Sequence, residues 1–280
     1  MILRRLFDFF IFSSLFIAGC AVVMAYQVET LFRLTYPSGR FLAFVFFSTI
    51  CSYNFHWFFT PHTMSENRRV LWTQKRKNIH LLLMVVGFIG SVLFFLQLTE
   101  YWLWIGLSIV LTFLYSAPKL PFGFASVLSQ IAVGKTIFLA MVWTYVTTIL
   151  PIVMAGNQWA PEHMLFSIGR FFFIYAICII FDFRDREQDK RDGIKSMITY
   201  FSESGINILF YGSMLVFLVT IIALYLYNFP LVHIIGLLLA AIVVTASYPF
   251  LKRNFSDYLY YFFLDGMMAF PALFTAILSF

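Results

Sequence analysis

The sequence predicts an all-α membrane protein of about nine transmembrane helices, and three observations carry that expectation. Hydrophobic residues make up 61% of the chain and charged residues only 11%, with a mean hydropathy of +0.87. A soluble domain carries roughly 25% charged residues, so this chain has too little polar material to cover a water-facing surface. Lipid must solvate much of it. Apolar runs of spanning length also recur from end to end, and basic residues gather in alternate connections between them.

A span needs about 20 predominantly apolar residues. The runs that meet this criterion are 9–28, 40–59, 79–97, 101–117, 125–152, 164–182, 207–227, 230–250 and 259–279. Only a tight turn at Glu100 separates the third run from the fourth. No linker or change of composition divides the chain, so residues 1–280 are expected to form a single polytopic domain. Cys20, Cys51 and Cys178 all fall inside apolar runs and read as buried thiols, not as a disulfide framework. Ile17-Ala18-Gly19-Cys20 has the look of a lipoprotein cleavage box. However, Asp8 interrupts the apolar region such a signal needs, and the apolar run continues to Tyr26, so an uncleaved first span is expected.

Orientation follows from the basic residues. With the N-terminus inside, the inner side receives most of the 19 Lys and Arg. These include Arg4 and Arg5, the group Arg68, Arg69, Lys75, Arg76 and Lys77, then Lys119, the group Arg184 to Lys195, and Lys252 with Arg253. Arg33, Arg40 and Arg170 are assigned to the outer side, and Lys135 to a span. The expectation is therefore a multi-pass protein of a bacterial inner membrane, with a cytoplasmic N-terminus and an external C-terminus. The formal charge of +6 is an insertion signal and gives no reason to expect nucleic acid as a partner.

One polar segment stands out. After the sixth run the chain reads IIFDFRDREQDKRDGIKSM, residues 179–197. If the helix continues, Asp182, Asp185, Asp189 and Asp192 recur at intervals of three, four and three, which places them on one stripe. Arg184, Lys190 and Arg191 are expected to project elsewhere. Aligned carboxylates at a membrane surface repel one another unless a hard divalent cation, usually shared with phosphate oxygens, sits among them. A solvated face of balanced charge is the other reading.

The run Arg184-Asp185-x-x-x-Asp189-x-x-x-Gly193-x-Lys195-Ser196 resembles the second aspartate motif of the UbiA-type intramembrane prenyltransferases. Leu114-Tyr115-Ser116-x-Pro118-Lys119 resembles that family's Tyr-Ser/Thr-x-Pro-x-Lys element. The resemblance extends to span count, charge topology and motif placement, and it implies a UbiA-like helical bundle. It further implies that Asp185 and Asp189 are catalytic and, with Asp182, hold Mg2+ against a polyprenyl diphosphate. The isoprenyl group would pass to a lipophilic acceptor, an aromatic or quinone-precursor ring, in an aromatic-walled tunnel within the lipid bilayer. Tyr115, Lys119 and Lys195 are implied to bind substrate.

The family's first motif, an Asn-Asp-x-x-Asp-type run after the second helix, is broken here. The chain reads Ser52-Tyr53-Asn54-Phe55-His56-Trp57-Phe58, with Phe55 and Phe58 where carboxylates are expected. A phenyl ring cannot coordinate Mg2+, and His56 suits a softer metal. Three sources could rebuild this side: Asn54 with His56, Lys135, and the basic group that includes Arg68. That basic group also reads as a topology signal, and His56 as a helix-end residue among headgroups. Asp265, in the last run, is expected to face the bundle and pair with a base or hydroxyl. Two further readings remain: a member that binds isoprenoid or lipid without turnover, and a membrane transporter.

Overall fold

The computed structural model describes residues 2–60, 68–116, 135–156, 158–191 and 197–278. Among them there is no strand. Helix α1 spans Ile2–Phe12, α2 Leu15–Phe32, α3 Ser38–Phe59, α4 Arg68–Lys75 and α5 Lys77–Phe95. A short 3-10 turn, Thr99–Tyr101, leads into α6, Trp102–Ser116. Helix α7, Lys135–Thr144, widens into a π turn at Tyr145–Ile149 and closes as α8, Leu150–Met154. Then come α9 (Pro161–Arg191), α10 (Met197–Tyr200), α11 (Glu203–Leu226) and α12 (Leu231–Leu251). A second π turn, Leu259–Leu264, opens the last helix, α13 (Asp265–Leu278). Eight of the described helical segments are long and apolar enough to cross a membrane, and Thr99–Leu114 is a shorter apolar helix.

The first span differs from its predicted bounds of 9–28. The helix breaks at Ser13-Ser14, where Ser14 takes a left-handed backbone at φ 69°, and the spanning helix begins at Leu15. The N-terminal residues form the separate helix α1, which buries Asp8, Ile11 and Phe12 and leaves Leu3, Leu6, Phe7 and Phe10 exposed. Asp8 therefore does not interrupt a span. It pairs with Arg68 and accepts the Tyr258 hydroxyl, which ties α1 to α4 and to the entry of α13.

Helix α9 is the centre of the bundle. Its run Phe173 to Ile180 is buried on every side, and α9 packs against α7, α11, α12 and α13. Helices α3 and α5 form the closest pair on the periphery. A Cβ on Gly87 would sit 2.6 Å from the Cys51 amide nitrogen, and one on Gly90 would lie 2.4 Å from the Phe47 ring. Small residues three apart let two backbones meet this closely in lipid, where dispersion rather than water exclusion holds helices together.

Candidate functional site

The end of α9 carries the aspartates. The helix continues beyond the apolar run to Arg191, so Asp182, Asp185 and Asp189 keep helical register. Asp182 is buried and accepts a hydrogen bond from the Thr136 hydroxyl on α7. The Asp185 side chain is 42% exposed and is held by Arg184, whose Nε donates to Oδ1 at 2.7 Å and Nη2 to Oδ2 at 3.2 Å. This corrects the expectation that Arg184 projects away from the stripe. Spacing arguments place Cβ atoms, and an arginine chain is long enough to curl back to its neighbour.

Arg184 is otherwise buried in aromatic rings. Its side chain is 7% exposed, its Nη2 also donates to the Tyr261 hydroxyl at 2.8 Å, and its guanidinium lies 4.6 Å from the Tyr260 ring centroid. Arg69 on α4 packs against the same Tyr261 and is 2% exposed. Its guanidinium lies 4.3 Å from the Trp57 ring and 4.1 Å from the Tyr261 ring, while its Nη2 donates to Ser14 Oγ at 3.4 Å. Its backbone N–H donates to Asp257 Oδ2 at 2.8 Å. Burial pulls Arg69 below the ordinary arginine value, opposed by Tyr261 and by the charges of Asp265 and Asp257. Asp265 is buried within electrostatic reach of both arginines, and among the described residues it hydrogen-bonds to neither. One ring, Tyr261, thus joins the end of α3, through Trp57, to the end of α9.

The residues at the end of α3 are arranged differently. Asn54 is fully buried, and its amide donates to Ile50 O at 2.8 Å and to Ser13 O at 3.0 Å. Its Oδ1 lies 2.7 Å from His80 Nδ1, and His80 Nε2 lies 3.2 Å from Thr73 Oγ1. With Oδ1 as acceptor, His80 Nδ1 carries a proton and donates, and Nε2 pairs with the threonine hydroxyl. All of these partners are the protein's own. Phe55 packs on Phe59 and Phe58 lies under Lys77, so aromatic contacts fill the positions where carboxylates were expected. His56 is half-buried and edge-on to Trp57. Arg68 is committed to Asp8 and stacks on Tyr258.

Lys119, Lys195 and Asp192 lie outside the described residues. Tyr115 lies in the last turn of α6, Lys135 at the start of α7 and Asp189 in the last turns of α9, and their side chains are outside the described set. Among the described residues no group of three His, Cys, Asp or Glu could by itself hold a metal ion.

Arg170 was assigned from sequence to the outer side, and the structure corrects this. It is buried inside the bundle, where Nη1 donates to Met24 O at 2.9 Å, Thr147 O at 3.1 Å and Thr148 Oγ1 at 3.2 Å, and Nη2 donates to Gln27 Oε1. The π turn at Tyr145–Ile149 presents two of these acceptors. A π turn relaxes the regular backbone ladder, and here it turns a carbonyl toward a buried cation.

The family model of the UbiA prenyltransferases matches residues 67–270, nearly three quarters of the chain. The chain belongs to the UbiA prenyltransferase family. Neither the curated proteins nor the solved structures gave a match. The UbiA match runs from α4 into the first turns of α13, including Arg69, the aspartates of α9 and Tyr261, and it begins after Asn54 and His56. This UbiA chain is an integral membrane protein of the prenyltransferase class, built as a helical bundle.

Proposed function

We propose that this UbiA-family protein transfers an isoprenyl group from a polyprenyl diphosphate to an aromatic or quinone-precursor acceptor, at the end of α9. The observation that carries the reading is the continuation of α9 past its apolar run, which keeps Asp182, Asp185 and Asp189 on one stripe. These are oxygen donors only, the set that a hard cation such as Mg2+ takes. Arg184 uses one lone pair on each Asp185 oxygen, and an ionised carboxylate has about four such positions, so coordination capacity remains. Asp185 and Asp189 would hold the cation, with Asp182 fixed by Thr136 at the buried end of the stripe. Bound there, Mg2+ supplies neutralisation of the negative charge that builds on the departing diphosphate.

The chain's own residues do the rest. Arg184 orients Asp185, and the rings of Phe181, Tyr260 and Tyr261 gathered around it are an aromatic wall of the kind that stabilises an allylic cation. Ionisation then breaks the C–O bond, diphosphate leaves with the electron pair, and the acceptor ring supplies the electrons for the new C–C bond and loses its proton. We place the N-terminus and the α9 aspartates on the cytoplasmic side, from the charge bias of the connections. Purified protein incubated with allylic diphosphates of graded length and an aromatic acceptor should release diphosphate only with Mg2+. Diphosphate release that is absent at every chain length, with substrate still bound, would overturn turnover in favour of a lipid-binding role.

A further inference from the structure

Among the described residues three buried guanidinium nitrogens meet no acceptor, Arg69 Nε, Arg184 Nη1 and Arg186 Nε, and the first two belong to arginines that share one aromatic neighbour. A buried donor left unmet is costly, and native proteins rarely tolerate one without a reason. Here those two occur on residues more than a hundred positions apart in sequence, and both guanidiniums lie against the same ring, at 4.1 and 4.9 Å from the centroid of Tyr261. Tyr261 adds a third donor. Its oxygen already accepts from Arg184 Nη2 at 2.8 Å, so its own hydrogen is left to donate elsewhere.

The surroundings fix these groups in place without using their spare donors. Trp57 and Tyr261, edge-to-face with each other at 6.1 Å, both pack against the Arg69 guanidinium. Asp257 takes the Arg69 backbone N–H rather than its side chain. Asp185 occupies the other two donor nitrogens of Arg184. Among the described residues Asp265 lies within electrostatic reach of both arginines and hydrogen-bonds to neither. The result is a rigid set of N–H and O–H donors beside the aspartate stripe. A phosphoryl group is the chemistry that such forks match, through several short charge-assisted hydrogen bonds.

We propose that Arg69, Arg184 and Tyr261 form a metal-independent subsite for a phosphoryl group, which takes the diphosphate directly where the end of α3 supplies no carboxylate for a second cation. The inference rests on the diphosphate reading above. It assigns that reading's second phosphate contact to arginine instead of metal. On this account the diphosphate is held from two sides by different chemistry: by cation-bound carboxylates along α9, and by guanidinium forks across the Tyr261 ring.

The test is a titration of the full-length protein in phospholipid-free detergent with inorganic pyrophosphate, in EDTA and then with Mg2+, read by 31P NMR or calorimetry. Wild-type protein should bind pyrophosphate in EDTA. Arg69→Gln and Arg184→Gln should each weaken that binding about tenfold, as loss of one charge-assisted contact requires. Arg184→Lys should not restore it, because an ammonium keeps the charge and loses the fork. Asp189→Asn should remove the increment that Mg2+ brings. No binding by wild type in EDTA would overturn the subsite while leaving the Mg2+ reading intact. Loss of the Mg2+ increment alone in wild type would do the reverse. Arg69→Gln could also fail to fold, and then Arg184→Gln, scored only after its melting temperature matches wild type, decides the point. A parallel arm uses nanodiscs of phosphatidylcholine with and without phosphatidic acid. Arginine-dependent binding of phosphatidic acid without any pyrophosphate binding would assign the site to lipid headgroups and overturn the proposal.

Discussion

The ends of α3 and α9 approach the same tyrosine, yet they spend their polar groups in opposite ways. At the end of α3, Asn54 hydrogen-bonds to Ser13, Ile50 and His80, and phenylalanines fill the flanking positions. At the end of α9, Asp185 stays half-exposed, and Arg184 keeps an unmet donor. One end locks the scaffold, and the other keeps capacity for a ligand. The difference fits a two-sided site whose α3 end carries no carboxylates and whose second cationic contact comes from another helix. Arg69, on the helix that follows α3, is in that position.

The sharpest way to break the comparison is to remove a carboxylate from α9. Asp185→Asn and Asp189→Asn keep size and remove a hard anionic ligand. Each should lower Mg2+-dependent diphosphate release on the order of 100-fold, through several kcal/mol of lost charge stabilisation. Wild-type turnover in both variants would reduce the stripe to a solvated charge face. The next largest effect belongs to the α3 end and falls on stability. Asn54→Ala leaves the His80 imidazole and the Ser13 carbonyl without their partner, at about 1–3 kcal/mol for each buried group. A melting temperature lowered by several degrees, with pyrophosphate affinity unchanged in the folded fraction, is expected. Unchanged melting with weakened pyrophosphate binding would make Asn54 a substrate ligand instead.

A smaller effect should come from the contact that brings α5 against α3. Gly87→Ala places a Cβ against backbone of α3 that cannot yield, which should cost about 1–3 kcal/mol as overpacking does. Mg2+ and pyrophosphate binding should not change. Altered binding in this variant would mean that the α3–α5 spacing sets the mouth of the site. The smallest effect is expected for His56→Ala, since His56 sits at the α3 end edge-on to Trp57. Its pyrophosphate affinity should stay within about twofold, well under the tenfold that one charge-assisted contact represents. A loss as large as that of Arg184→Gln would move the second phosphate contact from Arg69 to α3.

The spans were legible because lipid imposes a length and a hydropathy that no other environment requires. The aspartate stripe was legible too, because intervals of three and four repeat a helical face whatever surrounds it. What sequence could not give came from long-range partners. The break at Ser13-Ser14 sits inside an apolar run, and its cue is an amide 41 residues away that takes the Ser13 carbonyl. Arg170 looked like one more topology charge, because its neutral acceptors are backbone carbonyls, a threonine and a glutamine on other helices. Arg69 was one of five bases in a polar stretch, and nothing local separates it from Arg68. Only the fold packs Trp57 and Tyr261 against it.

The most direct test of the central claim is one comparison of diphosphate release, over a range of allylic diphosphate concentrations, for wild type, Asp189→Asn and Arg184→Gln across a Mg2+ series. The account predicts that Asp189→Asn loses the Mg2+ response, whereas Arg184→Gln keeps it with diphosphate affinity lowered about tenfold. An Asp189→Asn variant that responds to Mg2+ as wild type does would contradict it.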